Sequence, residues 1–547
     1  MSSSIEKVDA PTRRLSHHTV TDLIHKDVKD VADIDSTTAK ELFQTSSNTS
    51  GSTLVQLKQS LSLWSVLGIG FGLTNSWFGI SASLITGISS GGPMIIVYGI
   101  IIIAFISYNI GITLSELSSA IPSAGGQYVW TRVLSPKKHS AFLAYICGSL
   151  AWAGAIFTTA SMALALSQEV MGFWNLFHPD HVTKKWQLFV LYQLINFILG
   201  LANCHSYFLP IVGNSALYVS LTAFITITIT VLVCSRGHYQ NADFVFVEFN
   251  NGTGWKSSGV AFLIGLINPN WSFSCLDCAT HLAEEVANPE SIIPKAILGT
   301  VTIGFLTSFP YVISMFFCIR NLDDIMNSTT GLPILDIYYQ ALQSKGGALV
   351  LGLLVFATAV CCTISCHTWQ ARLTWSFARD NGLPFSKYLS QIHPTAKLPL
   401  WAHLFSSAIV AIVGALYLAS DAVFNAMVVA CISFLLLSYS VPVLCLLYRG
   451  RDNIKHGPFW LGKFGIFSNV VTVCWALFAT VFFSLPSVMP VTAGNMNYVC
   501  AVFGVFTIWM FAYWYLPFRG FNAKAHFAGG RSGEGETEFP DVCLTDI

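Results

Sequence analysis

The chain has 547 residues, 53% of them hydrophobic and only 10% charged, with a mean hydropathy of +0.60. Lys plus Arg and Asp plus Glu each number 28, so a net charge of zero offers no basic footprint for nucleic acid. A soluble protein carries about 25% charged residues to hydrate its surface, and a chain this poor in charge has to be coated by lipid instead.

The charges are also unevenly placed. Residues 1–60 hold 15 of them and residues 519–547 hold 8, leaving about 7% for the 458 residues between. The first sixty residues are polar and lack the pattern of a cleaved signal peptide. They are expected to form a disordered cytoplasmic tail, and residues 519–547 a second one. The transporter domain is then expected over 61–518. Within it, twelve apolar runs start near Leu63, Met94, Ser140, Gln187, Ile211, Val260, Ala296, Gly346, Leu400, Ala422, Phe464 and Tyr498. Each is about twenty residues, enough to cross a ~30 Å hydrocarbon core as a helix. The expected fold is an all-α integral membrane protein of about 12 transmembrane helices.

Orientation follows from the basic residues of the short loops. With the N-terminus inside, the inner side holds Arg132, Lys137, Lys138, Lys295, Arg372, Arg379, Lys387, Lys397, Arg449, Arg451, Lys455 and Lys463. The outer side holds Lys184, Lys185, Arg236, Lys256, Arg320 and Lys345. Twelve against six puts both termini in the cytoplasm. The sequons at Asn251 and Asn327 then face outward as glycosylation candidates.

The first and sixth runs are not ordinary apolar helices. The first reads Gly68-Ile-Gly70-Phe-Gly72-Leu-Thr-Asn75-Ser76-Trp77-Phe78-Gly79, and the sixth Gly265-Leu-Ile-Asn268-Pro269-Asn270-Trp271-Ser272-Phe273-Ser274. Gly and Pro weaken a helix at mid-span, and Asn and Ser satisfy the backbone groups that are freed. GLTNSW and GLINPNW are near echoes five runs apart, which inverts their direction. Paired interrupted segments of this kind point to the binding site of a secondary transporter, although Gly-rich stretches also serve close helix packing.

Of the carboxylates between the tails, Glu169 and others sort to outer loops and Glu116, Glu284, Glu285 and others to inner ones. Asp277 is left alone within a run, six residues past Trp271. An ionisable group at that depth is by default functional. It could neutralise a cationic substrate, carry a coupling proton, or sit neutral beside His281. Trp77, Phe78, Trp271 and Phe273 flank the two breaks, and Trp152 lies mid-span in the third run. Trp faces attract ammonium groups, yet aromatics also pack and anchor membrane helices, so they leave the substrate's charge open.

Enzyme chemistry finds little footing. There is no second acid for an aspartyl dyad, no H-E-x-x-H zinc motif and no P-loop. Cys275-Leu-Asp-Cys278 reads as buried thiols, and the 14 Cys lie mostly inside apolar runs, as at Cys361, Cys362, Cys431 and Cys474, against a disulfide scaffold. No cofactor and no metal site is expected. A sensor without transport would signal through its tails, which are short.

Three further stretches carry a resemblance: Glu116-Leu-Ser-Ser-Ala-Ile-Pro122-Ser-Ala-Gly125-Gly126-Gln-Tyr128, Ala283-Glu284-Glu285-Val-Ala-Asn-Pro289 and Phe377-Ala-Arg379-Asp380-Asn-Gly-Leu-Pro384. They are similar to motifs of the amino acid–polyamine–organocation (APC) permease superfamily. TNSWFGIS at Thr74–Ser81, NWSFSCLDCATH at Asn270–His281 and HTWQARLTWSFARDNGLP at His367–Pro384 resemble its fungal amino acid/choline branch. The resemblance covers nearly all of residues 60–518. It implies a LeuT-like five-plus-five inverted repeat with helices 1 and 6 broken, and proton-driven uptake of choline and ethanolamine at the plasma membrane. Its pocket positions map to Asn75, Ser76, Trp77, Trp271, Ser272 and Phe273. Asp277 falls where some relatives hold an acid linked to substrate and proton. The bulkier Thr-Asn-Ser-Trp, in place of the superfamily's Gly-Ser-Gly break, disfavours an α-amino acid. A permease for γ-aminobutyrate (GABA), another amino acid or a polyamine stands as the alternative.

Overall fold

The computed structural model describes residues 61–204, 208–328, 330–418 and 422–515. The two expected tails, residues 1–60 and 519–547, lie outside the described residues. Among the described residues the chain is helical, and extended pairing is confined to one bridge between Leu61 and Val286.

Ten apolar helical segments among the described residues are long enough to cross a bilayer. A seventeen-residue helix, Val499–Tyr515, closes the series, and the first run folds as three short helices. Each of the twelve expected runs therefore lands on one span. Span 1 comprises Leu63–Thr74, Ser76–Ala82 and Leu84–Gly91. Span 2 is Pro93–Ala120, span 3 Ser140–Phe177, span 4 Lys185–Ala202 and span 5 Phe208–Cys234. Span 6 comprises Ser258–Gly265, Ile267–Ser272 and a 3-10 helix, Leu276–Glu285. Spans 7 to 11 are Pro289–Phe317, Lys345–Arg379, Leu400–Gly414, Val423–Arg449 and Lys463–Phe482, and span 12 is the closing helix.

Local chemistry sets the boundaries. Ser62 and Ser344 cap spans 1 and 8, each hydroxyl accepting from a backbone N–H in the first turn, which satisfies donors the helix cannot. Pro93 and Pro289 open spans 2 and 7, where a missing N–H costs nothing.

The packing repeats with a period of five spans. Span 2 packs on span 7, span 3 on span 8, span 4 on span 9, and broken span 1 on broken span 6. The contacts 3 with 10, 1 with 7 and 1 with 5 have the counterparts 8 with 5, 6 with 2 and 6 with 10. A shift of five exchanges these pairs and reverses each span's direction, which is the signature of an inverted repeat. Spans 11 and 12 stand outside it, against spans 2 and 10. Two connectors matter below: the buried helix Gln127–Leu134 between spans 2 and 3, and the helix Pro333–Leu342 between spans 7 and 8.

Candidate substrate site

Both breaks are enforced by left-handed backbone at a non-glycine residue. Asn75 has φ 33° and Cys275 φ 66°, a conformation that L-residues adopt only when held there. Asn75 is held by Ser220 of span 5, whose hydroxyl donates to Asn75 Oδ1 at 3.1 Å and accepts from Trp77 Nε1 at 2.8 Å. The sixth span is held by Asn270, whose Oδ1 accepts from Trp475 Nε1 at 2.8 Å, and by Ser274 Oγ, which donates to the Asn270 carbonyl at 2.8 Å.

The breaks are also tied to each other. Thr74 Oγ1 donates to the Ser274 carbonyl at 3.1 Å, and Asn268 Nδ2 donates to Ile80 O and Ser83 Oγ at 3.1 and 2.6 Å. At Gly79 a Cβ would stand 2.9 Å from Ser272 Cα of span 6. Glycine is required there by the approach of one backbone to another.

Between the breaks lies a tight cavity of about 20 Å³, room for a water or two. Span 1 contributes Leu73, Thr74, Phe78 and Gly79, and span 3 Thr158 and Met162. Span 6 contributes Trp271, Ser274 and Cys275, and span 8 Cys362. None of these carries a formal charge at neutral pH. Two aromatic rings, Phe78 and Trp271, face the space, and Phe424 of span 10 backs Trp271 edge-on at 5.9 Å. The carbonyl ends of Leu63–Thr74 and Ile267–Ser272 also converge on it, bringing the negative ends of two helix dipoles.

The sequence-expected residues divide. Trp271 lines the cavity. Asn75, Ser76, Ser272 and Phe273 are buried in the two breaks and shape it from behind. Ser76 packs against Gly304, and Ser272 Oγ donates to the Asn268 carbonyl at 2.9 Å. Trp77 is engaged elsewhere, with its nitrogen on Ser220 and its ring edge-on to Tyr311 of span 7 at 5.2 Å. Phe78, one residue on, lines the space instead. Trp152 is remote: its nitrogen donates to Thr374 Oγ1 of span 8 at 3.1 Å, and its ring lies on Phe405 and Trp509. Asn251 and Asn327 are exposed.

Asp277 lies two residues past the cavity-lining Cys275, fully buried. Its Oδ1 accepts from Tyr439 OH of span 10 at 2.6 Å. Its Oδ2 accepts from Gln127 Nε2 at 2.7 Å and lies 3.2 Å from His281 Nε2. The other ring nitrogen, His281 Nδ1, is 2.7 Å from the Ala124 carbonyl, which can only accept. Nδ1 therefore carries a hydrogen. A neutral ring would then turn its Nε2 lone pair toward a carboxylate oxygen. The contact is favourable only with a proton between them, on the imidazole or on the carboxyl.

Below this cluster, two ion pairs join spans 6 and 8. Arg372 donates to Glu285 at 2.5 and 3.2 Å, and Arg379 to Glu284 at 2.8 and 3.1 Å. Arg451 holds Glu116 at 2.8 and 2.9 Å. Asp277 is thus not the lone carboxylate within the spans. Glu116, Glu285 and Glu169 are buried as well, because spans 2, 3 and 6 extend as helices beyond their apolar runs.

Twelve spans, two of them broken about a shared cavity, define a multi-pass membrane transporter of the inverted-repeat kind. The chain belongs to the amino acid permease family, whose profile matches residues 61–506. It is 59% identical over 460 residues to a choline transporter of Saccharomyces cerevisiae, covering 84% of this chain and 82% of that one. It is 35% identical to a 7-keto 8-aminopelargonic acid transporter of the same yeast, over 82% of this chain and 91% of that one. It is 36% identical to a swainsonine transporter of Arthroderma benhamiae, over 86% and 93%. These relatives are transporters, and the family's business is transport, not catalysis.

Proposed function

We propose that the protein imports choline, and ethanolamine, across the plasma membrane in symport with protons, by alternating access, with both termini cytoplasmic. The observation that carries this reading is the uncharged cavity faced by Trp271 and Phe78. Aromatic faces and helix carbonyl ends attract a quaternary ammonium, whereas an amino acid's carboxylate would find no basic side chain among the lining residues. The 59% identity to a choline transporter supports the same substrate.

The proton's place in this reading is the Asp277–His281 pair. Loss of the shared proton sets lone pair against lone pair and parts His281 from Asp277, while Gln127 and Tyr439 still donate to the carboxylate. The ion pairs Glu284–Arg379 and Glu285–Arg372 lie on the same inner side and have to part when the site opens inward.

Radiolabelled choline uptake by cells lacking their own carrier tests the proposal, with ethanolamine, GABA, other amino acids and polyamines as competitors. The reading expects saturable choline uptake that competitors bearing a carboxylate do not reduce and that falls when the proton gradient is collapsed. Preferential uptake of GABA or another amino acid would install the alternative.

A further inference from the structure

Span 3 runs as one helix for 38 residues, and its C-terminal part carries a carboxylate that the central cavity does not use. Glu169 is 4% exposed, and its Oε2 has no hydrogen-bond partner among the described residues. It lines a chamber of about 10 Å³ between spans 1, 3 and 8 and the connector helix Pro333–Leu342. That is room for one water and nothing larger. The polar side chains around it are Ser81, Glu169 and Tyr338, and no Lys, Arg or His is among the lining residues.

The inverted repeat thus sets a buried carboxylate against each of its two connector helices. Gln127, in the connector between spans 2 and 3, grips Asp277 directly at 2.7 Å. In the connector between spans 7 and 8 the corresponding polar group is Tyr338, which shares the water-sized chamber with Glu169.

From the chamber a row of hydroxyls leads to span 1. Tyr338 OH and Tyr311 OH lie 2.6 Å apart, Tyr311 OH and Ser81 Oγ 2.9 Å, and Ser81 Oγ and the Trp77 carbonyl 2.9 Å. Each hydroxyl has one hydrogen to give, and the carbonyl can only accept. With Ser81 donating to Trp77, Tyr311 donates to Ser81 and Tyr338 to Tyr311. The Tyr338 oxygen is then left to accept from the chamber. A water there supplies the hydrogen, and it has the two to four polar neighbours that a buried water needs. An ionised Glu169 would add a buried charge with no cation beside it, a cost that a carboxyl removes by taking a proton. Protonated, Glu169 donates to the water and the water to Tyr338.

We infer that Glu169 is a neutral carboxylic acid that binds a single water, and that this acid–water–hydroxyl row fastens the connector helix Pro333–Leu342 to span 1. The row ends on the short helix Ser76–Ala82, which also carries Phe78 to the central cavity. Glu169 is a positioning residue: it acts through Tyr338 on a seam that has to part when the cavity opens at this end. That consequence rests on the reading of the protein as an alternating-access carrier, whereas the proton and the water do not.

Infrared difference spectroscopy of the purified full-length protein in lipid nanodiscs tests the proton. The wild type is expected to show a carboxylic acid C=O band that shifts in D2O and is missing from Glu169→Gln. Wild-type and Glu169→Gln spectra that coincide in this region overturn the inference, since Glu169 would then be ionised. Hydrogen–deuterium exchange on the same samples tests the row. Amides of residues 333–342 are expected to exchange at least about fivefold faster in Glu169→Leu and in Tyr338→Phe, the worth of one hydrogen bond. The double variant should exchange no faster than Tyr338→Phe alone, because both changes break the same row. Glu169→Gln, neutral and still a donor, should keep the wild-type protection.

Exchange by Glu169→Gln as fast as by Glu169→Leu overturns the neutral donor, and additive effects of the two single changes overturn the row. If Glu169→Leu fails to fold, Tyr338→Phe alone decides the row, and wild-type exchange in that variant refutes it. Neither measurement needs a substrate, so failure of the choline reading leaves both outcomes readable.

Discussion

Removing the Trp271 indole should weaken choline binding through the loss of one aromatic face. A cation over a desolvated Trp ring is stabilised by about 2 kcal/mol, and each 1.4 kcal/mol is tenfold, so Trp271→Ala is expected to raise the choline Kd roughly thirty-fold. Some of any change will come from packing, because Trp271 is 6% exposed and abuts Phe424 edge-on. Two controls separate that share. Trp271→Phe keeps a ring and the contact with Phe424, and should fall between the wild type and the Ala variant. The uncharged isostere 3,3-dimethylbutan-1-ol fills the same volume, so the ratio of choline to isostere affinity isolates the part that depends on charge. The assay is competition binding to purified protein, with surface level and thermal unfolding measured in parallel. A Trp271→Ala variant that binds choline as tightly as the wild type refutes the cage. So does one that loses choline and isostere affinity equally, since the ring would then be packing without reading charge.

Other outcomes follow from the same contacts. Asp277→Asn should abolish the external-pH dependence of uptake and the accumulation of choline above its outside concentration, with choline exchange retained; pH-dependent accumulation by this variant would remove Asp277 from coupling. Gly79→Ala should stop transport, because its Cβ would stand 2.9 Å from a backbone atom of residue 272; Ser272→Gly should not rescue it, and rescue would show that only side chains collide. Arg372→Ala leaves Glu285 buried without its partner and should destabilise the fold by about 3–5 kcal/mol; thermal unfolding measures this, and the double change with Glu285→Gln should cost less than the single one. Burial pushes Asp336 in the connector helix Pro333–Leu342 from 3.8 up to about 6. Its native state therefore takes up a proton that the unfolded chain releases. The stability it contributes is full below pH ~3.8 and is lost as pH rises through ~6, so Asp336→Asn should flatten the pH dependence of unfolding between those values. An unchanged slope would contradict that.

The spans were legible because each apolar run maps onto one span, and the breaks because Gly, Asn and Pro coincide at mid-span in two matching runs. Which aromatic meets the cavity was not legible. Adjacent residues on a helix point about 100° apart, and the left-handed Asn75 resets the phase of everything after it, so Trp77 turned to span 5 and Phe78 to the cavity. Nor could the partners of Asp277 be read in advance: Gln127 and Tyr439 lie 150 and 162 residues away in sequence and meet it only when spans 6 and 10 close on the helix Gln127–Leu134. Glu169 looked like a loop residue because hydropathy fades near the C-terminal end of span 3. The helix continues to Phe177 nonetheless and buries it.

The most direct test is choline accumulation by the purified protein in sealed proteoliposomes under an imposed inward proton gradient. The Asp277–His281 pair and the aromatic cavity together predict that choline concentrates inside and that a protonophore returns it to equilibrium. Choline that merely equilibrates with the gradient intact would contradict proton-driven uptake.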